Sequence, residues 1–98
     1  MDKYTLYNNE ELEQYEYHIG DFTPHISYRM KDGDIYLTHT RMPDQLQGKG
    51  IGKRLVEDVL NDISYRGIKL VPLCAFVASY IRKNPRWLIL LKKGIYIG

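Results

Sequence analysis

The sequence predicts an α/β domain of the α+β kind, a mixed sheet with helices packed on it, and three observations lead there. Two β-type runs flank Lys31–Asp34 between His25 and Met42, apolar residues recur at helical spacing from Ile51 to Arg66, and a short, nearly continuous apolar run follows Gly67. The element order is β-β-β-α-β-α with a possible final strand. Antiparallel strands lead and a helix then crosses to a further strand, which requires a sheet of mixed direction. A chain of 98 residues is long enough for one hydrophobic core and too short for a second. Residues 1–98 are therefore expected to form a single domain.

In chain order, Tyr15–Ile19 alternates as a strand does, and Gly20–Phe22 reads as a turn. Asp32-Gly33 is a strong hairpin signal between the next two strands. Plain alternation places Ile26, Tyr28 and Met30 on one face of the first of these, and Ile35, Leu37 and His39 on one face of the second. Pro43 stops the second strand. The helix carries Ile51, Leu55, Val56, Val59, Leu60 and Ile63 on one side and Lys53, Glu57, Asp58 and Asp62 on the other, and Gly67 closes it. The run "IKLVPLC" reads as a strand covered on both faces, and "AFVASYIRKN" as a second helix that must end near Pro85. The tail "RWLILLKKGIYIG" fits a helical turn plus a last strand, and its periodicity does not separate the two.

Composition narrows the function classes. A hydrophobic content of 44% with 27% charged residues describes a folded chain and not a disordered tail. No apolar run approaches the roughly 20 residues a membrane span needs. The first residues lack the apolar centre of a signal peptide, so a cytoplasmic location is expected. The single cysteine, Cys74, excludes an internal disulfide and a multi-cysteine zinc site. His18, His25 and His39 have no metal-ligand spacing. A net charge of +2 is too small to argue for nucleic acid.

The stretch "QLQGKGIGKRL" from Gln45 to Leu55 sets Gly48, Gly50 and Gly52 at alternate positions immediately before the long helix. A helix start carries unpaired N–H groups and about half a positive charge, so glycines that bare its backbone suit a phosphate-like anion. A flexible surface turn is the plain alternative. Two known phosphate loops fail on spacing. A P-loop needs four residues between its first glycine and Gly-Lys, followed by Ser or Thr, whereas Gly48 and Gly52 enclose three and Arg54 follows Lys53. Lys53 also occupies the place of the last glycine in the dinucleotide fingerprint.

Gln47-Gly48-Lys49-Gly50-Ile51-Gly52 leading into "KRLVEDVL" resembles the pyrophosphate segment of the GNAT superfamily of N-acetyltransferases, Gln/Arg-x-x-Gly-x-Gly/Ala at a helix start. His-Thr before a proline and Pro-x-Cys-x-Phe-Val after the helix are similar to a short predicted-acetyltransferase branch of that superfamily, and the match runs from about Ile35 to Pro85. The resemblance implies a minimal acyl-CoA N-acyltransferase fold and an acetyl-CoA site. It maps the pyrophosphate to Gln47, Gly48, Lys49, Gly50, Ile51, Gly52 and Lys53, and the acetyl end to the strand residues Thr40, Arg41 and Met42 beside His39. The tail from Trp87 follows no pattern of the family.

Three residues are candidates for catalysis. Cys74 ends a strand and opens a helix, where the helix field favours a thiolate able to accept an acetyl group. Its alternative is a small buried apolar residue. The superfamily commonly protonates the departing thiolate with a tyrosine on the last core helix, and Tyr80 lies on that helix, with ordinary packing as the other reading. His39 is of the type that exchanges protons near neutrality, or else a strand histidine bonded to a neighbouring carbonyl. The expected function is acetyl transfer from acetyl-CoA to an amine, small molecule or protein, that the sequence does not name. A non-catalytic acyl-CoA-binding module is the runner-up. A nucleic-acid-binding domain using Lys49, Lys53, Arg54 and Arg82 with Tyr28 and Tyr36 is a third reading, weakened by the modest charge.

Overall fold

The fold is described from a computed structural model over residues 4–97. Strands β1 (Tyr7–Asn9), β2 (Gln14–Glu16), β3 (His25–Lys31), β4 (Asp34–Arg41) and β5 (Leu70–Pro72) form one sheet in the order β1-β2-β3-β4-β5. The first four are antiparallel to their neighbours, and β5 runs parallel to β4. Helix α1 (Ile51–Arg66) makes the crossover from β4 to β5, and α2 (Ala75–Lys83) follows β5. The mixed sheet is thus the one the sequence predicts. Leu55, Val56, Val59, Leu60 and Ile63 from α1 and Val77 and Ile81 from α2 enter one core with Tyr15, Tyr17, Ile26, Tyr28, Ile35, Leu37 and Leu70. Gly67 caps α1 as expected.

Four details differ from the sequence reading. A first strand, Tyr7–Asn9, was not expected. The strand expected over Tyr15–Ile19 is Gln14–Glu16, continued by a bond from Tyr17 N–H to Pro24 O and by an isolated Ile19–Phe22 bridge. Among the described residues the tail forms no final strand: Pro85–Leu90 is a 3-10 segment, and Leu91 makes a single parallel bridge to Leu70. Gly98, the end of that tail, lies outside the described residues.

The fourth difference is a β-bulge. Pairing steps from Ser27–His39 to Tyr28–Leu37, which leaves Thr38 as an extra residue on β4. Each side chain beyond it changes face. His39 therefore leaves the buried side of Ile35 and Leu37 and is exposed, while Thr40 takes the inward position opposite Ile26.

Helix α1 is held to the sheet by phenols as well as by its apolar stripe. Tyr15 and Tyr17 are fully buried, and their hydroxyls donate to Asp62, at 2.5 Å, and to Asp58. Arg66 Nη1 donates to the Tyr15 oxygen at 2.9 Å. Burial, with the adjoining carboxylates, holds both phenols far above the ordinary tyrosine range. The acidic side of α1, which the sequence assigns to solvent, therefore receives the polar ends of core residues.

On the other face of the sheet Tyr7, Glu16, His25 and Arg41 form a cross-strand row. Glu16 is buried, with Gln14 Nε2 at 2.6 Å, His18 Nε2 at 2.7 Å and Asn9 Nδ2 at 3.4 Å from its carboxyl oxygens. No helix of the described residues is long and apolar enough to cross a membrane.

Burial acts to raise the Glu16 carboxyl, and hydrogen bonds from His18, Gln14 and Asn9 outweigh it and bring it below its usual range. A lowered folded value means that the unfolded chain binds the proton first on acidification. The contribution is complete above the ordinary carboxylate range and is lost as pH falls through the folded value. Urea midpoints at pH 7 and pH 3 are expected to differ less in Glu16→Gln than in the parent protein. An equal difference in both would place the acid sensitivity elsewhere.

Candidate functional site

The parallel ladder between β4 and β5 ends at the pair Leu37–Pro72. Beyond it the N–H groups of Leu73 and Cys74 both donate to Leu37 O, each at 2.9 Å, and α2 begins at Ala75. Strand β4 runs on to Arg41 without a strand beside it on that side. A cleft of about 530 Å³ opens along this free end. Thr40, Arg41 and Met42 form its strand wall, and Gln47, Gly48 and Gly50 to Lys53 form its loop and helix wall. Leu46 and Phe76 complete the lining. Lys49 sits in the same loop, exposed, outside the lining.

The loop is built for backbone access. Gly50 is the N-cap of α1 at φ +74°, a left-handed conformation in which a side chain is strained even though a Cβ there would meet nothing within 4 Å. No side chain caps the helix, and its first turn holds no acidic residue. Acids are the usual occupants of a helix start, because the N–H groups there present partial positive charge. Here the first turn carries Lys53 instead, and Arg41, at the end of β4, is also among the lining residues. The arrangement leaves the N–H groups and the positive end of the helix open to an anion.

Cys74 begins α2 as its N-cap residue and is 8% exposed. Its Sγ lies 3.1 Å from Thr40 Oγ1, so the thiol stands directly behind a residue of the cleft wall. Tyr80 is half-buried, outside the lining, and its hydroxyl donates to Glu57 Oε2 at 3.3 Å. Burial and the Glu57 carboxylate push this phenol up. Glu57 also receives Arg86 Nη2 at 3.0 Å. His39 is outside the lining as well. The structure thus brings the strand and loop residues together with Cys74 behind them, and sets Tyr80 and His39 apart. No group of three or more His, Cys, Asp or Glu side chains among the described residues is arranged to hold a metal ion.

Sequence reasoning missed Leu46 and Phe76. A signal for Phe76 was present: it is a large apolar residue off the buried stripe of Val77, Ala78 and Ile81. Leu46 is the buried residue of a short 3-10 turn, Asp44–Leu46, whose place follows only from tertiary packing.

Comparison with known proteins gives a consistent pattern. The family model described as GCN5-related N-acetyl-transferase matches residues 14–90. Protein NATD1 of Gallus gallus is 33% identical over 51 residues, 52% of this chain and 46% of that protein. Protein NATD1 of Homo sapiens is 33% identical over 51 residues, 52% of this chain and 45% of that protein. The matched segment thus spans about half the length of these curated relatives. The solution structure of a GCN5-like protein from Staphylococcus aureus superposes with a TM-score of 0.71 at 21% identity, covering 98% of this chain and 94% of that one, which shows a shared fold.

The Thr40–Cys74 contact sets how exposed the thiol is to solution reagents. Iodoacetamide is expected to modify Cys74 more slowly in the folded protein than in urea, and Thr40→Ala to speed the folded reaction while leaving the unfolded rate unchanged. The same folded rate in both proteins would show that Thr40 does not cover the sulfur.

Proposed function

Because the chain belongs to the GCN5-related N-acetyltransferase family, we propose that it transfers an acetyl group from acetyl-CoA to an amine acceptor. The observation that carries this reading is the start of α1: an uncapped helix without acids in its first turn, entered through left-handed Gly50, carrying Lys53 and lining the cleft. Such a start lacks an anion, and a pyrophosphate supplies one. In this reading Gln47 to Lys53 hold the pyrophosphate. Thr40 and Arg41, on the part of β4 left without a strand beside it, and Met42 just after it, line the path toward the thioester.

Bound acetyl-CoA supplies an acyl group already activated as a thioester. The chain must then orient the carbonyl, take a proton from the amine and give one to the departing sulfur. The Thr40 hydroxyl and Cys74 thiol form a pair where the strands part, and we assign the chemistry to that end of the cleft. Cys74 serves there either as transient acyl acceptor or as proton donor through Thr40. In this reading His39, exposed on the opposite face of the sheet and outside the cleft lining, takes part only with an acceptor that approaches from that side. Tyr80 joins only by leaving Glu57. That separation favours one second reading, a CoA-binding module without turnover.

Calorimetric titration with acetyl-CoA, followed by mass spectrometry for transferred acetyl, tests both readings. Gly50→Val is expected to weaken acetyl-CoA binding on the order of tenfold or more, because valine cannot hold the left-handed cap. Unchanged affinity in a folded Gly50→Val protein would remove the loop from the site. Cys74→Ser is expected to keep acetyl-CoA binding and lose transfer. Binding without any transfer in the parent protein would favour the binding module.

A further inference from the structure

The net charge of +2 hides an uneven distribution. From Ile63 to Gly98 the chain holds seven Lys and Arg and no Asp or Glu, whereas the residues before Ile63 hold seven Lys and Arg and twelve acids. Asymmetry of this kind within one domain points to an anionic partner for its basic part. The cleft at the end of β4 does not account for it, because none of the seven cations after Ile63 lines that cleft. Three of them meet instead at a second cavity, of about 630 Å³, between the end of α2 and the tail. Arg82, Lys92 and Lys93 line it without any acid, and the rest of its lining is Gly94 and apolar or aromatic side chains, Leu88, Ile95 and Tyr96 among them. Residues 91–97, which form much of the wall, lie outside the stretch that the family model matches.

The tail is tied around this space. Lys92 N–H donates to Leu70 O at 2.9 Å, Ile95 N–H to Lys92 O at 3.0 Å, and Arg82 Nη1 to Ile97 O at 2.8 Å. Lys92 Nζ is engaged by Asp34 at 3.0 Å. The charge open to an outside anion is therefore that of exposed Lys93 and of Arg82, whose guanidinium keeps further N–H groups beside the one given to Ile97. Leu88 is 46% and Tyr96 91% exposed, so apolar surface at the cavity is left in water, and a ligand that covers it gains by doing so. We propose that this cavity is a second ligand site, for a small anion with an apolar body, an alkyl or aryl carboxylate. Its carbon chain lies on Leu88, Ile95 and Tyr96, and its carboxylate meets Lys93 and Arg82. Concavity selects a discrete ligand over a flat membrane surface, and a lining more aliphatic than aromatic selects a carbon chain over stacked bases. The two cavities share no lining residue, so the site stands whether or not the other one binds acetyl-CoA.

Decanoate, decanol and decyltrimethylammonium carry the same alkyl chain and differ in the charge of the head group. Each is titrated into the full chain, below the concentration at which it self-associates, and followed by amide chemical shifts. Decanoate is expected to shift residues 82–97 saturably and to bind on the order of tenfold more tightly than decanol, with decyltrimethylammonium weaker than both. Lys93→Gln is expected to weaken decanoate severalfold and to leave decanol nearly unchanged. Leu88→Gln, at a half-exposed position that the fold tolerates, is expected to weaken both. Decanol binding as tightly as decanoate, shifts centred on the cleft between β4 and α1, or an unchanged preference in Lys93→Gln would overturn the proposal. Binding to phosphatidylglycerol vesicles or to duplex DNA, with none to decanoate, would overturn it as well and make the basic tail a membrane-surface or nucleic-acid contact.

Discussion

The carbonyl of Leu37 accepts the N–H groups of both Leu73 and Cys74, and the site depends on that branching contact. A parallel ladder continues only while each strand supplies donors in step, and Pro72, opposite Leu37, has none to give. The chain after Pro72 turns both of its next N–H groups onto one acceptor and enters α2. Strand β4, with no such interruption, runs on to Arg41. The cleft is the space between a strand that continues and a strand that has turned away. The bulge at Thr38 acts on the same strand, two residues before the wall, and points Thr40 toward Cys74. Without the extra residue, alternation would give the inward position to His39.

A cleft wall is only as fixed as the helix behind it. Two buried phenols reach from the sheet to Asp58 and Asp62, one turn apart on α1, and Arg66 closes over the second pair. Hydrogen bonds to charged groups contribute roughly 1.5–3 kcal/mol each, more than neutral ones, and they specify direction where apolar contact does not. They hold the rotation of α1 about its own axis. That rotation determines where its uncapped first turn, with Lys53, faces the end of β4.

The parts legible in the sequence were those whose signal is local. The helical period from Ile51, the Asp32-Gly33 turn and the glycine loop each stand in a few consecutive residues, and the glycine loop and the start of the helix line the cleft together. Features that depend on a partner distant in the chain were not legible. Alternation along β4 gives no sign of the extra Thr38, because the bulge is a property of the pair β3–β4. Tyr7–Asn9 forms a strand by pairing with Gln14–Glu16, although an acidic stretch separates them. Asp58 and Asp62 look like a solvated face until the tyrosines reach them. The tail's apolar run gave no period because Pro85–Leu90 is 3-10, in which neither helical nor strand spacing holds.

Phe76 shows the same division from the other side. On its helix it is an apolar residue out of place, and on the surface it is a half-exposed ring. Only its contact with a glycine distant in sequence gives it a reason. Gly52 in turn looks like one more flexible loop residue, yet its backbone is helical and its role is to leave a space. The two positions are best understood as one, a ring and the gap that receives it, which makes the distance between the starts of α1 and α2 a property of side-chain size. The lining of the cleft comes from the end of β4, the turn and loop that follow it, the start of α1 and Phe76 of α2, so the packed ring stands where the two helices close one side of the cleft.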